Sequence, residues 1–159
     1  MPVDCRIINL ARPYARGLCV LTVLFGFRVV AQLVQAWHPV AYLPAFDRWH
    51  SGTLPYGWLV GAQVLILALC VRIVWQLLRN RVIPSLRKGH LLLALGLIYF
   101  GGMGIRLFLG VTVASEHEWF GATLPAVFHL VLASFVILYG RFHYLASQRE
   151  SLIPQGQSS

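Results

Sequence analysis

Charge is scarce in this chain. Only 11% of its 159 residues are Asp, Glu, Lys or Arg, whereas a soluble domain carries about 25%. The deficit excludes a water-soluble particle of this size, because too little polar surface exists to coat one. Acids are scarcer still. Asp4, Asp47, Glu116, Glu118 and Glu150 are all there are, and none lies inside an apolar run. Cysteine is nearly absent, with Cys5, Cys19 and Cys70 forming no C-x-x-C pair. Cys19 and Cys70 fall within apolar runs and read as small buried hydrophobes, which argues against a thiol–disulfide enzyme. No nucleophile–base pair and no phosphate-binding glycine loop is visible, so the sequence shows no catalytic constellation.

What the chain has instead is hydrophobicity, at 58% of residues. Four runs are long enough to span a bilayer: 17–37, 56–78, 91–114 and 123–144. A helix needs about 20 mainly apolar residues to cross about 30 Å of hydrocarbon. Lipid offers no hydrogen bonds to the backbone, so each run is expected to be a helix; barrel strands would instead alternate over about 10 residues. The fold class is therefore all-α: a four-helix transmembrane domain over 1–145, followed by a polar tail over 146–159. The first run resembles a signal peptide in its basic flank, but Arg28 divides it and no A-x-A-like site follows, so it is read as uncleaved.

The formal charge of +8 does not point to nucleic acid, because the cations flank apolar runs. Arg6, Arg12 and Arg16 precede the first; Arg79, Arg81, Arg87 and Lys88 lie between the second and third; Arg141 and Arg149 close the fourth. The other two connections hold only Arg48. The positive-inside rule then places both termini and the central loop in the cytoplasm, which in a bacterium means a multi-pass protein of the inner membrane.

A phrase occurs twice. "WHSGTLPY" begins at Trp49 and "WFGATLPA" at Trp119, each just before an apolar run. Trp49 and Trp119 suit the interfacial belt, Thr53 and Thr123 can cap a helix, and Pro55 and Pro125 fit its first turn. The preceding spans also match: "FGFR" ends at Arg28 and "GMGIR" at Arg106, each with a glycine two residues earlier. The chain reads as two tandem helical hairpins in parallel orientation. The alternative is that any helix re-entering the membrane favours Trp, Thr and Pro near its start.

Each span places one strong polar group at a similar depth. At about 1.5 Å per residue, Arg28 lies about 13 Å below Trp37, Arg106 about 12 Å below Ala114, Gln63 about 10 Å below Tyr56 and His129 about 9 Å below Thr123. Gln32 and Gln35 extend a stripe from Arg28 along one helix face. Tyr99, Gly102 and Arg106 share a face of the third span, where Gly101, Gly102 and Gly104 would admit a neighbouring helix or a ligand. A cation at mid-membrane costs at least about 2.5–3.5 kcal/mol, so Arg28 and Arg106 should face the interior. Three fates are open to them. They pair with Asp47, Glu116 or Glu118 as a structural lock; they line a ligand pocket with Gln32, Gln63 and His129; or they snorkel to headgroups. Arginine's planar fork suits a carboxylate, a phosphate or a quinone oxygen. Arg72 lies near the opposite surface and is expected to snorkel.

The connections raise a metal reading. Asp47, His50, Glu116, His117 and Glu118 are of ligand type, with His38 nearby in sequence. Their spacing fits no helical zinc motif, and solvated or arginine-paired roles are preferred. A b-type haem needs two axial ligands at one depth; His129 stands on the outer side, whereas His90 and His143 stand at the cytoplasmic ends. Neither metal nor haem is therefore expected.

A first span with a mid-helix Arg28, followed by "GTLP" at Gly52–Pro55 opening the second span, resembles the DoxX-like group of small bacterial four-span membrane proteins. That group often carries an acid in the second span; this chain has Gln63 there. The resemblance implies an integral membrane component linked to quinone or thiol redox chemistry. Taken together, the residues point to a non-catalytic accessory subunit binding a quinone or another anionic or carbonyl ligand, with the bilayer, a membrane-protein partner or a second copy as its surroundings. The rival is a structural or assembly protein. A transporter is disfavoured, because four spans enclose a path only as an oligomer.

Overall fold

The computed structural model describes residues 3–38, 56–112 and 123–151. They form four α-helices: α1, Val3–Trp37; α2, Tyr56–Leu78; α3, Leu86–Thr112; and α4, Thr123–Ser151. No strand occurs among the described residues. Each helix is long and apolar enough to cross a membrane, so the all-α reading with four spans holds. Their outward faces carry Phe27, Trp58, Leu65, Ile98, Ile105 and Phe108, all exposed. A monomeric soluble protein does not display apolar surface on that scale; a lipid bilayer is the environment in which such faces lie at no cost.

Three helices outrun the expected spans, while α2 keeps the expected ends. The 35 residues of α1 extend to about 52 Å at 1.5 Å per residue. Its start at Val3 rather than residue 17 carries it through Arg12, Pro13 and Arg16. Arginine is a good helix former and breaks a hydropathy run without breaking a helix. α3 begins at Leu86 rather than 91. Ser85 is its N-cap, its carbonyl accepting from the Gly89 N–H at 2.9 Å, and Pro84 stands just before it. α4 runs on to Ser151, so the tail expected from 146 is helical there. Gln148 Nε2 donates to the Tyr144 hydroxyl at 2.8 Å, one turn back.

α2 ends in a Schellman turn. The Asn80 N–H donates to the Leu77 carbonyl at 3.1 Å and the Arg81 N–H to the Gln76 carbonyl at 2.9 Å. Asn80 takes the left-handed conformation this requires, with φ of 52°, which asparagine tolerates better than most residues. Two hydroxyls within the spans find partners inside their own helices. Thr22 Oγ1 donates to the Leu18 carbonyl and Ser134 Oγ to the Leu130 carbonyl, each at 2.8 Å, as an apolar medium demands.

The packed pairs run in the order α2–α1–α4–α3, with α1 and α4 inside; α2 and α3 share no packed interface among the described residues. The α3–α4 pair is the most extensive and rests on glycines. A Cβ at Gly96 would stand 3.1 Å from the Ile137 backbone nitrogen, and one at Gly140 would stand 2.9 Å from that of Leu93. Gly89 likewise abuts the backbone of Tyr144. Small residues admit close backbone approach where lipid supplies no hydrophobic drive between helices. Gly101, Gly102 and Gly104, expected to admit a neighbouring helix or a ligand, meet no helix of this chain: a Cβ at any of them meets nothing within 4 Å. The approach is made nearer the helix start, by Gly89 and Gly96.

The two hairpins α1–α2 and α3–α4 each pack internally, yet among the described residues the α1–α4 interface has no packed α2–α3 counterpart. Of the repeated phrase, Trp49, Thr53, Pro55 and Trp119 lie outside the described residues. Pro125 is buried near the start of α4.

The interior divides by height. Towards the end that carries both termini and the 79–85 connection, an apolar core holds Leu18, Cys70, Val74, Leu77, Phe135 and Phe142. Cys70 is buried there as expected, but Cys19 is exposed, because its position on α1 falls on the outward face. The far half is polar and contains the candidate site.

Candidate functional site

Four helices contribute to one cavity of about 160 Å³ in the far half, open on one side. Phe25 and Arg28 come from α1; Leu59, Ala62, Gln63 and Ile66 from α2; Tyr99 from α3; and Pro125, His129 and Leu132 from α4. The α2 set recurs at three- and four-residue spacing, the signature of one helical face. Most of the lining is apolar, with a few polar groups converging on it, which is the usual composition of a small-molecule site.

Arg28 is buried at 4% exposure although it sits within a span. Its guanidinium lies 5.3 Å from the centroid of the Phe128 ring, a cation–π contact that offsets part of its desolvation. Arg106 is buried too, at 8% exposure. Arg28 and Arg106 both lie in coulombic range of His129, and Arg106 also of Tyr99. The Tyr99 and His129 rings are tilted against each other with centroids 6.0 Å apart. Arg28, Gln35 and Arg106 are each partnered beyond these contacts.

Gln63 Nε2 donates to Gln32 Oε1 at 3.1 Å, joining α2 to α1. The bond leaves Gln32 Nε2 and Gln63 Oε1 buried without a hydrogen-bond partner. The balance is unfavourable as it stands. A hydrogen bond between membrane helices averages about 0.6 kcal/mol, whereas each buried polar atom left unpaired costs roughly 1–3 kcal/mol.

Of the five residues singled out from the sequence, Arg28, Gln63 and His129 line the cavity. Gln32 reaches it through Gln63. Arg106 is buried nearby, acting on Tyr99 and His129 rather than lining the wall. The sequence reading missed Phe128, Pro125 and Leu132. The three- and four-residue spacing of Pro125, His129 and Leu132 was the available signal. It also missed His143, buried at 2% exposure, whose Nδ1 accepts the Ser85 N–H at 3.3 Å. His143 and His129 occupy opposite ends of α4. Arg72 is exposed, as a snorkelling residue would be. The loop residues Asp47, His50, Glu116, His117 and Glu118 lie outside the described residues. Among the described ones, no three metal-ligating side chains cluster.

No family model matches this chain, and neither does any curated protein or solved structure.

Proposed function

We propose that this chain is a non-catalytic accessory subunit of a membrane complex that binds a small carbonyl-bearing or anionic ligand in its polar half. The observation that carries the reading is the cavity where Arg28, Gln63 and His129 meet. Arginine supplies a planar donor fork and a charge. The unpaired Oε1 of Gln63, which lines the cavity, adds an acceptor that a ligand bearing a donor would complete. A quinone head has the required size and carbonyl oxygens, in keeping with the resemblance to DoxX-like proteins carried by Arg28 and Gly52–Pro55. The cation distribution supports a cytoplasmic side for both termini and the 79–85 connection, and on that orientation the cavity lies in the outer half of the membrane.

A second reading has its own observation. Arg28, Gln35 and Arg106 hold further partners, as they would if the arginines served to lock the far end of the helices together. The two readings separate on binding. In detergent, a short-chain benzoquinone and benzoate serve as probes, and the melting temperature of the purified protein is the readout. At least one probe should raise it, and Arg28→Leu or Gln63→Leu should remove the rise while the variants stay folded. If neither probe moves the wild type, and Arg28→Leu simply melts lower, the lock is the correct account.

A further inference from the structure

The order α2–α1–α4–α3 leaves the two outer helices without a packed interface, yet both contribute side chains to the same cavity. The side that this helix order leaves uncovered is the one between α2 and α3. Ala62 marks an edge of the opening on α2, since it lines the cavity and is itself exposed. On α3, Leu95 and Gly102 lie four residues before and three after Tyr99, on its side of the helix. Both are exposed, and a Cβ on Gly102 would meet nothing within 4 Å. The opening faces sideways, where an apolar helix surface faces lipid, and Tyr99 stands at the middle of α3. An engineered apolar cavity of about 150 Å³ holds one benzene molecule. A cavity of about 160 Å³ thus admits a single ring-sized head and leaves no room for a chain attached to it.

We propose that the occupant is an amphiphile with one ring-sized, oxygen-bearing head and a long apolar tail, and that it reaches the cavity from the bilayer through the gap between α2 and α3. This rests on the ligand-binding reading above. The head lies among Arg28, Gln63 and His129. The tail leaves past Ala62 and Leu95 into the hydrocarbon at the level of Tyr99. A lateral route keeps the tail in lipid throughout, so the head alone changes environment on binding. The polar layer in the far half and the apolar midplane then match the two ends of such a molecule.

The test uses two probes with the same benzoquinone head, one with a short chain and one with a long isoprenoid tail, and the protein in lipid nanodiscs. Gly102→Phe is placed to obstruct the gap, and Leu95→Trp obstructs it from the other side of Tyr99. Gly101→Phe is the control, because a side chain there also meets nothing but lies off the Tyr99 face. All three positions are exposed, so the variants should fold. The wild type and Gly101→Phe should bind both probes. Gly102→Phe and Leu95→Trp should bind the tailed probe at least tenfold more slowly or weakly, with the short one little changed. Equal binding of the tailed probe by Gly102→Phe, Leu95→Trp and Gly101→Phe overturns the lateral route while leaving the ligand reading intact. Failure of the wild type to bind either probe, with benzoate also inert, removes both.

Discussion

Gln32 and Gln63 show what a single pair of side chains discloses. Leucine at both positions would leave no buried polar atom to satisfy, whereas the amides form one bond and strand two atoms. His143 makes the opposite case, a polar group with a fully structural explanation. It is buried against Phe142 and Tyr139, and its Nδ1 accepts from the N–H of Ser85, the N-cap of α3. His143→Ala should lower stability by roughly 1 kcal/mol, the loss of a hydrogen bond to the half-buried Ser85 N–H. His143→Asn should recover much of that, because its side-chain oxygen stands close to where Nδ1 stood. Thermal melts of the two variants check this, and equal losses would show that packing alone sets the role of His143. Neither the Gln32–Gln63 bond nor the His143 cap was readable beforehand. Depth along a helix comes directly from the sequence, but the angle at which two helices face each other does not.

At the scale of elements, the four helices were legible because lipid forces each apolar run to satisfy its own backbone. α2 was bounded to the residue, since its ends coincide with its apolar limits. The other boundaries moved because hydropathy falls at Arg12, Arg16, Lys88, Gln148, Arg149 and Glu150 while helical hydrogen bonding continues through them. The glycines were harder. Gly101, Gly102 and Gly104 look like a packing stripe in sequence, yet the tight α3–α4 approach uses Gly89, Gly96 and Gly140. Which glycine meets a backbone depends on where helices cross, and that is fixed by the whole bundle. Orientation is a property of the connections. The segment from Arg79 to Gly89 joins α2 to α3 and carries Arg79, Arg81, Arg87 and Lys88, so it should be cytoplasmic. Single cysteines introduced there should resist membrane-impermeant thiol reagents in intact cells and react after permeabilisation. Labelling in intact cells would invert the orientation.

At the scale of the whole molecule, function depends on a division of the interior. One half is a dry core around Leu18, Leu77 and Phe142. The other half spends polar groups on all four helices, buried on α1, α2 and α3 and half-buried at His129 on α4. The depth argument made from the sequence anticipated that layer, and Arg28, Gln63 and His129 do meet at one cavity. Arg106 shows the limit of the argument, because equal depth did not make it part of the cavity wall. The open side between α2 and α3 was invisible in sequence, for it follows from the helix order and not from any one residue. The central claim is that this polar half exists to hold a small molecule. Native mass spectrometry of the protein released from nanodiscs tests it most directly. The account predicts a single additional mass on the wild-type chain, dissociating on activation as an amphiphile and absent from a folded Arg28→Leu variant. A bare wild-type chain, indistinguishable in its adducts from Arg28→Leu, would contradict it.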